Sequence, residues 1–193
     1  MTKQLVLVAL LAASAVSAET VQGQITDPGL RRKTQLVYVE SAPGKFPPPA
    51  ESAQMNQKGN TYLPHLLPIL AGTKVIFKSA DPELHNVYAR AHKTTLFNRA
   101  VLPNQQFERV FDEVGIVHLA CNVHREMSAD LAVLQNPFYA VPDKAGSFTI
   151  ANVPAGSYTL RIWGEELTDE QKAKKIPVTA GAAQPALKIA SIQ

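Results

Sequence analysis

Three of the softer donors a protein can offer sit within seven residues: the thiol of Cys121, the imidazole of His124 and the thioether of Met127, in Cys121-Asn122-Val123-His124-Arg125-Glu126-Met127. A second imidazole, His85, lies upstream in the turn-rich Asp81-Pro82-Glu83-Leu84-His85-Asn86-Val87. Two imidazoles, one thiolate and a weak axial thioether make the donor set of a trigonal copper site, one ion per chain, suited to exchanging single electrons. Such exchange is fastest when the ion changes geometry little between its oxidation states, so two loops must be held around it by rigid elements.

Cys121 is the only cysteine in 193 residues, so it has no disulfide partner within the chain. A lone cysteine is often just a small buried hydrophobe. The proximity of His124, Met127 and His85 favours a ligand instead. Strand parity sorts the other histidines: Gly115, Val117, Leu119 and Cys121 share one face of a strand-like run, and His118 points to the other. His118 is therefore expected at the surface or packed on the sheet. His92 and His65 are expected to be ordinary exposed or capping residues.

The front of the chain has the pattern of an export signal: Lys3, an apolar run from Leu5 to Ala13, then small residues ending Val16-Ser17-Ala18. Cleavage before Glu19 removes Lys3 and takes the formal charge from +3 to +2. That balance gives no argument for nucleic acid. No later run approaches the roughly 20 apolar residues of a membrane span, so the mature chain is expected to be periplasmic and without a span. The enzyme classes find little support, since there is no Ser-His-Asp order, no phosphate-cradling Gly loop and no carboxylate pair beside the histidines. A site with four protein ligands also leaves no position open for substrate.

The elements that must position these donors are short strands. Val21–Ile25, Gln35–Glu40, Thr73–Lys78, Asn86–Ala91, Gln106–Phe111, Ile116–Cys121, Leu131–Leu134, Ser147–Ile150 and Ser157–Trp163 are β-prone runs broken by Gly, Pro, Asn and Asp. Their spacing predicts an all-β sandwich or barrel. Only Glu165–Lys175 has helical character, enough for one surface turn or short helix. Phe148 and Ile150 alternate with polar neighbours, as do Tyr158, Leu160 and Ile162, with Pro154 and Gly156 between the runs. This predicts a hairpin with one buried face, too small to stand without further strands. Val21–Ile25 and Gln35–Glu40 are the candidates to complete it.

From about Met55 to Gln135 the chain resembles the cupredoxins, the plastocyanin and amicyanin family. The resemblance rests on Tyr62-Leu63-Pro64, Ala71-Gly72-Thr73-Lys74-Val75-Ile76-Phe77, Asp81, His85-Asn86-Val87, Phe111-Asp112-Glu113-Val114-Gly115 and the Cys121 loop, in that order. The C-x2-H-x2-M spacing resembles amicyanin in particular. The likeness implies a Greek-key sandwich, copper held by His85, Cys121, His124 and Met127, and a hydrogen-bonding role for Asn86 in tying the two ligand loops together. It also implies an exit for the electron through the His124 imidazole. Arg125 and Glu126 then flank the docking surface for a redox-protein partner, where many relatives carry Pro, and Lys78-Ser79-Ala80 replaces an Asn-containing turn. The segment Asp143–Leu160 resembles the transthyretin-like regulatory sandwich of carboxypeptidases, a combination similar to exported, methylamine-utilisation-like proteins.

The expected organisation is a signal peptide at 1–18, N-terminal strands of a flanking sandwich at 19–44, a Pro-rich linker at 45–54, the cupredoxin unit at 55–136 and the rest of the flanking sandwich at 137–193. The alternative is one elongated cupredoxin with extra strands. The expected function is periplasmic transfer of single electrons by one blue copper. Its rival is a copper carrier or resistance protein that uses the same ligands for delivery.

Overall fold

The computed structural model describes residues 17–181 and 186–190; most of the expected signal peptide lies outside them. No helix among the described residues is long and apolar enough to cross a membrane. The chain is nearly all β. It opens with β1 (Ala18–Ile25), α1 (Pro28–Lys33) and β2 (Leu36–Val39). Nine strands follow: β3 (Ala53–Gln57), β4 (Tyr62–Leu63), β5 (Leu66–Leu70), β6 (Thr73–Ser79), β7 (His85–Ala91), β8 (Thr94–Val101), β9 (Gln106–Phe111), β10 (Gly115–Ala120) and β11 (Ser128–Leu134). The chain continues through β12 (Tyr139–Ala140), β13 (Ser147–Pro154), β14 (Gly156–Trp163), α2 (Asp169–Ala173), β15 (Ile176–Ala180) and β16 (Leu187–Ile189).

The nine middle strands form two sheets, β5-β11-β10-β7-β8 and β4-β3-β6-β9, packed face to face. Period-two burial builds that core. In β6, Thr73, Val75, Phe77 and Ser79 are buried while Lys74 and Lys78 reach water. Phe77 stacks on Phe107 with ring centroids 4.9 Å apart, next to Met55, Leu119 and Leu131. Each such side chain contributes on the order of 1.5–3 kcal/mol on full burial.

The outer strands make a second sandwich, β13-β1-β16 against β12-β2-β14-β15, around Val37, Phe148, Ile150, Leu160 and Ile162. The two bodies meet over a small apolar cluster. β11 explains it: Leu131 and Val133 face the first core, while Ala132 and Leu134 on the opposite face pack with Leu36 and Trp163 of the second sandwich. A strand covered on both faces reads in sequence as a continuous apolar run, as Leu131–Leu134 does.

The expected hairpin at Pro154 is corrected by the strand pairing. β13 pairs with β1, and β14 pairs with β2 and β15, so the Pro154–Gly156 turn carries the chain across the core from one sheet to the other. Alternation reports that a strand has one buried face, and two strands facing each other across a core give the same pattern as two lying side by side. The N-terminal segment thus supplies one strand to each sheet of the outer sandwich. β3 begins at Ala53, inside the stretch read as linker, and α1 and α2 are each a single short helix. α2 falls within the charged 165–175 segment.

Candidate metal centre

Two strands bring the donors together. His85 opens β7, pairing with Val101 of β8, and the Asp81–Leu84 turn precedes it. The imidazole expected from the turn itself is therefore fixed by a sheet ladder, and it is fully buried. Cys121 directly follows β10 and is buried on the same face as Val117 and Leu119, as strand parity requires. His124, partly exposed, stands in the short loop between β10 and β11. Met127 Nα–H donates to His124 O at 3.1 Å and Cys121 N–H donates to Met127 O at 3.1 Å, which closes the loop on itself. Met127 is buried in the same apolar cluster as Cys121.

One ligand atom each from His85, Cys121 and His124 lie within 4.8 Å of one another. The Nδ1 atoms of His85 and His124 are 3.2 Å apart, and Cys121 Sγ is 3.9 Å from His124 Nδ1. The far nitrogen of His85 decides what this means. His85 Nε2 is 2.9 Å from Asp81 Oδ2. A carboxylate can only accept here, so Nε2 carries the proton and Nδ1 of the neutral ring presents a lone pair inward. Metal-binding histidines are oriented in this way by a carboxylate on the other nitrogen. The inward lone pair of His85 thus faces His124 Nδ1 and the Cys121 thiol, and this soft and borderline donor set fits copper.

Asp81 is itself held. Its Oδ1 accepts from Gly59 N–H at 2.7 Å and its Oδ2 from Asn60 N–H at 3.2 Å. Burial pushes its carboxyl up, but the Gly59 and Asn60 amides and His85 outweigh that, and the group lies below its ordinary value. Asn86 links the two ligand-bearing segments: its Oδ1 accepts from Asn122 N–H at 2.6 Å, next to Cys121, and its Nδ2 donates to Asn98 Oδ1 at 2.6 Å. Tyr62 makes a second tie that sequence reasoning did not single out. Its hydroxyl reaches the carbonyls of Asn86 and Ala120 at 2.9 and 3.0 Å, each one residue from a candidate ligand. Burial drives the Tyr62 phenol well above its normal range, so the hydroxyl keeps its proton and remains a donor.

The remaining histidines are elsewhere. His118 is on the outer face of β10, bonded to Asp130; His92 is exposed in the β7–β8 turn with φ 52°; His65 contacts Ser128 and Glu165. Arg125 and Glu126 are exposed. Leu84, Leu102 and Val123 are exposed as well, at 45, 49 and 54%. Leu84 and Val123 immediately precede His85 and His124, and Leu102 follows the strand partner of His85, so the surface here is apolar as well as charged. A branched apolar residue directly before each of the two candidate histidine ligands is the available signal.

A family model described as polysaccharide lyase family 4, domain II, matches residues 116–186, running from β10 of the first sandwich through β15 of the second. No curated protein matches the sequence. Among solved structures, the chain is similar to a purple cupredoxin from Nitrosopumilus maritimus, at 29% identity over 42% of this chain and 99% of that one, with a TM-score of 0.40. Amicyanin from Paracoccus versutus is 21% identical over 50% of this chain and 96% of its own, TM-score 0.40. A copper-containing nitrite reductase from Thermus scotoductus covers 55% of this chain but only 26% of its own length, at 19% identity and a TM-score of 0.41.

Proposed function

We propose that the mature chain is a periplasmic type 1 copper protein that carries single electrons between redox-protein partners and catalyses no reaction of its own. His85, Cys121, His124 and Met127 would hold one copper ion. The observation that carries this reading is the meeting of His85 Nδ1, His124 Nδ1 and Cys121 Sγ, with the proton of His85 held on the opposite nitrogen by Asp81. Copper bound there supplies a Cu(II)/Cu(I) couple.

The protein's part is to hold the donors still. Asp81 fixes the His85 tautomer, while Asn86 and Tyr62 pin the strand carrying His85 to the loop carrying Cys121. The burial of Cys121 and Met127 keeps water from the thiolate side and leaves His124 as the part nearest solvent. Exposed apolar Val123 beside His124, with Leu84 before His85 and Leu102 after its strand partner, suits brief contact with a partner, and Arg125 and Glu126 set its electrostatic preference.

Voltammetry of the copper-loaded protein, joined to a Cu(I) competition assay, tests the proposal. A reversible one-electron wave with copper retained supports the electron carrier. Rapid loss of Cu(I) to an acceptor, with no reversible wave, overturns it in favour of the copper courier.

A further inference from the structure

A second convergence of metal-binding side chains lies where the two sandwiches meet, and it shares no residue with the Cys121 site. Ligand atoms of His65, Asp130 and Glu165 all lie within 4.8 Å of one another. The fold places each of them. β5 and β11 run in parallel, with Asp130 paired to Leu66, so His65 and Asp130 are neighbours, and Asp130 N–H donates to His65 O at 2.8 Å. Glu165 comes from the other sandwich, two residues after the interface residue Trp163. Its approach depends on Gly164, where a Cβ would lie 1.8 Å from the carbonyl oxygen of Lys33, and Glu165 N–H then donates to Gln35 Oε1 at 3.3 Å.

Hydrogen bonds from outside the cluster fix which atoms face it. His65 Nδ1 is 3.1 Å from the carbonyl oxygen of Ser128, which can only accept, so Nδ1 carries the proton. His65 Nε2 faces Glu165 Oε2 at 3.2 Å, a separation that the second proton of an ion pair or a bound metal can occupy. Asp130 adds a second negative charge and is 3% exposed. It is oriented by His118, whose Nδ1 donates to Asp130 Oδ1, while His65 is oriented by the Ser128 carbonyl. Both contacts are of the kind that orient metal ligands from behind.

We infer that His65, Asp130 and Glu165 form a binding site for a zinc-class divalent cation that joins the two sandwiches. One imidazole and two carboxylates, with no thiolate, favour a borderline ion such as Zn2+, and three protein ligands leave a fourth position for water. At metal–ligand distances near 2.0–2.1 Å, tetrahedral ligand atoms stand about 3.4 Å apart. The observed His65–Glu165 separation of 3.2 Å already matches that spacing.

The test is calorimetric titration of Zn2+ into mature protein preloaded with one equivalent of copper, for the parent and for His65→Ala and Glu165→Gln. Both side chains are about half exposed, so neither change threatens the core. An unaltered far-ultraviolet circular dichroism spectrum checks that each variant folds. One zinc per chain in the parent, with Kd raised at least tenfold in each variant and a zinc-induced rise in Tm lost in both, supports the site. Absence of saturable zinc binding, or a change below tenfold in either variant, overturns it. Parent and variants carry the same His85, Cys121 and His124, so any zinc taken up there is common to all three, and only a zinc-binding event present in the parent and weakened in both variants is assigned to His65, Asp130 and Glu165.

Discussion

Asp81→Asn probes the orientation of His85 without touching a candidate ligand. The wild-type carboxylate accepts from Gly59 N–H, Asn60 N–H and His85 Nε2–H at 2.7, 3.2 and 2.9 Å. An asparagine has one accepting oxygen. If that oxygen keeps the shortest bond, to Gly59, the amide nitrogen replaces Oδ2 and faces two donors. The imidazole escapes by moving its proton to Nδ1, the nitrogen that points at His124 from 3.2 Å, and a protonated Nδ1 cannot bind a metal. Loss of such an orienting partner typically costs 10–100-fold in metal affinity, or about 1.4–2.8 kcal/mol. Competition for Cu(I) against a chromophoric chelator measures the affinity, and 15N shifts of the His85 ring report the tautomer. A dissociation constant within threefold of wild type, or a His85 ring still protonated at Nε2, would refute the reasoning.

Tyr62→Phe should lower the unfolding free energy by about 1–3 kcal/mol, since it removes the one hydroxyl proton shared by the buried Asn86 carbonyl and the Ala120 carbonyl, and denaturant titration measures the loss. A fragment of residues 53–136 should fold and bind copper by itself. One of residues 137–193 should not fold, because β1 and β2 each complete a different sheet of the outer sandwich; a well-dispersed NMR spectrum from that piece would contradict this. Arg125→Glu should leave the copper spectrum intact yet change the rate of reduction by the native partner, with the difference shrinking as salt rises. Stopped-flow measurements across ionic strength read it, and a salt-independent change would place the partner elsewhere.

Much of the centre is legible in sequence because its donors are rare residues at short spacing. Cys121, His124 and Met127 belong to one loop, and period-two parity separates His118 from Cys121 without any structure. Asp81 and Tyr62 are harder to read. Asp81 is four residues from His85, yet its bond depends on how the turn folds back onto Gly59 and Asn60; Tyr62 reaches carbonyls 24 and 58 residues away. Strand existence was readable where β-branched and aromatic residues cluster, as in β6, β9 and β14. It was not where pairing alone makes the strand: β3 carries Gln54, Asn56 and Gln57, and β8 is largely exposed. The hairpin at Pro154 shows the remaining gap, since alternation identifies a buried face and says nothing about which strand lies alongside.

The visible absorption spectrum of the mature protein after one equivalent of Cu(II) tests the central claim most directly. A thiolate bound to Cu(II) in a trigonal site should give an intense visible band, absent from Cys121→Ser, lost or transformed in His85→Ala and His124→Ala, and nearly unchanged in His118→Ala. A colourless wild-type protein, or a band that survives Cys121→Ser, would contradict the assignment of a copper–thiolate centre.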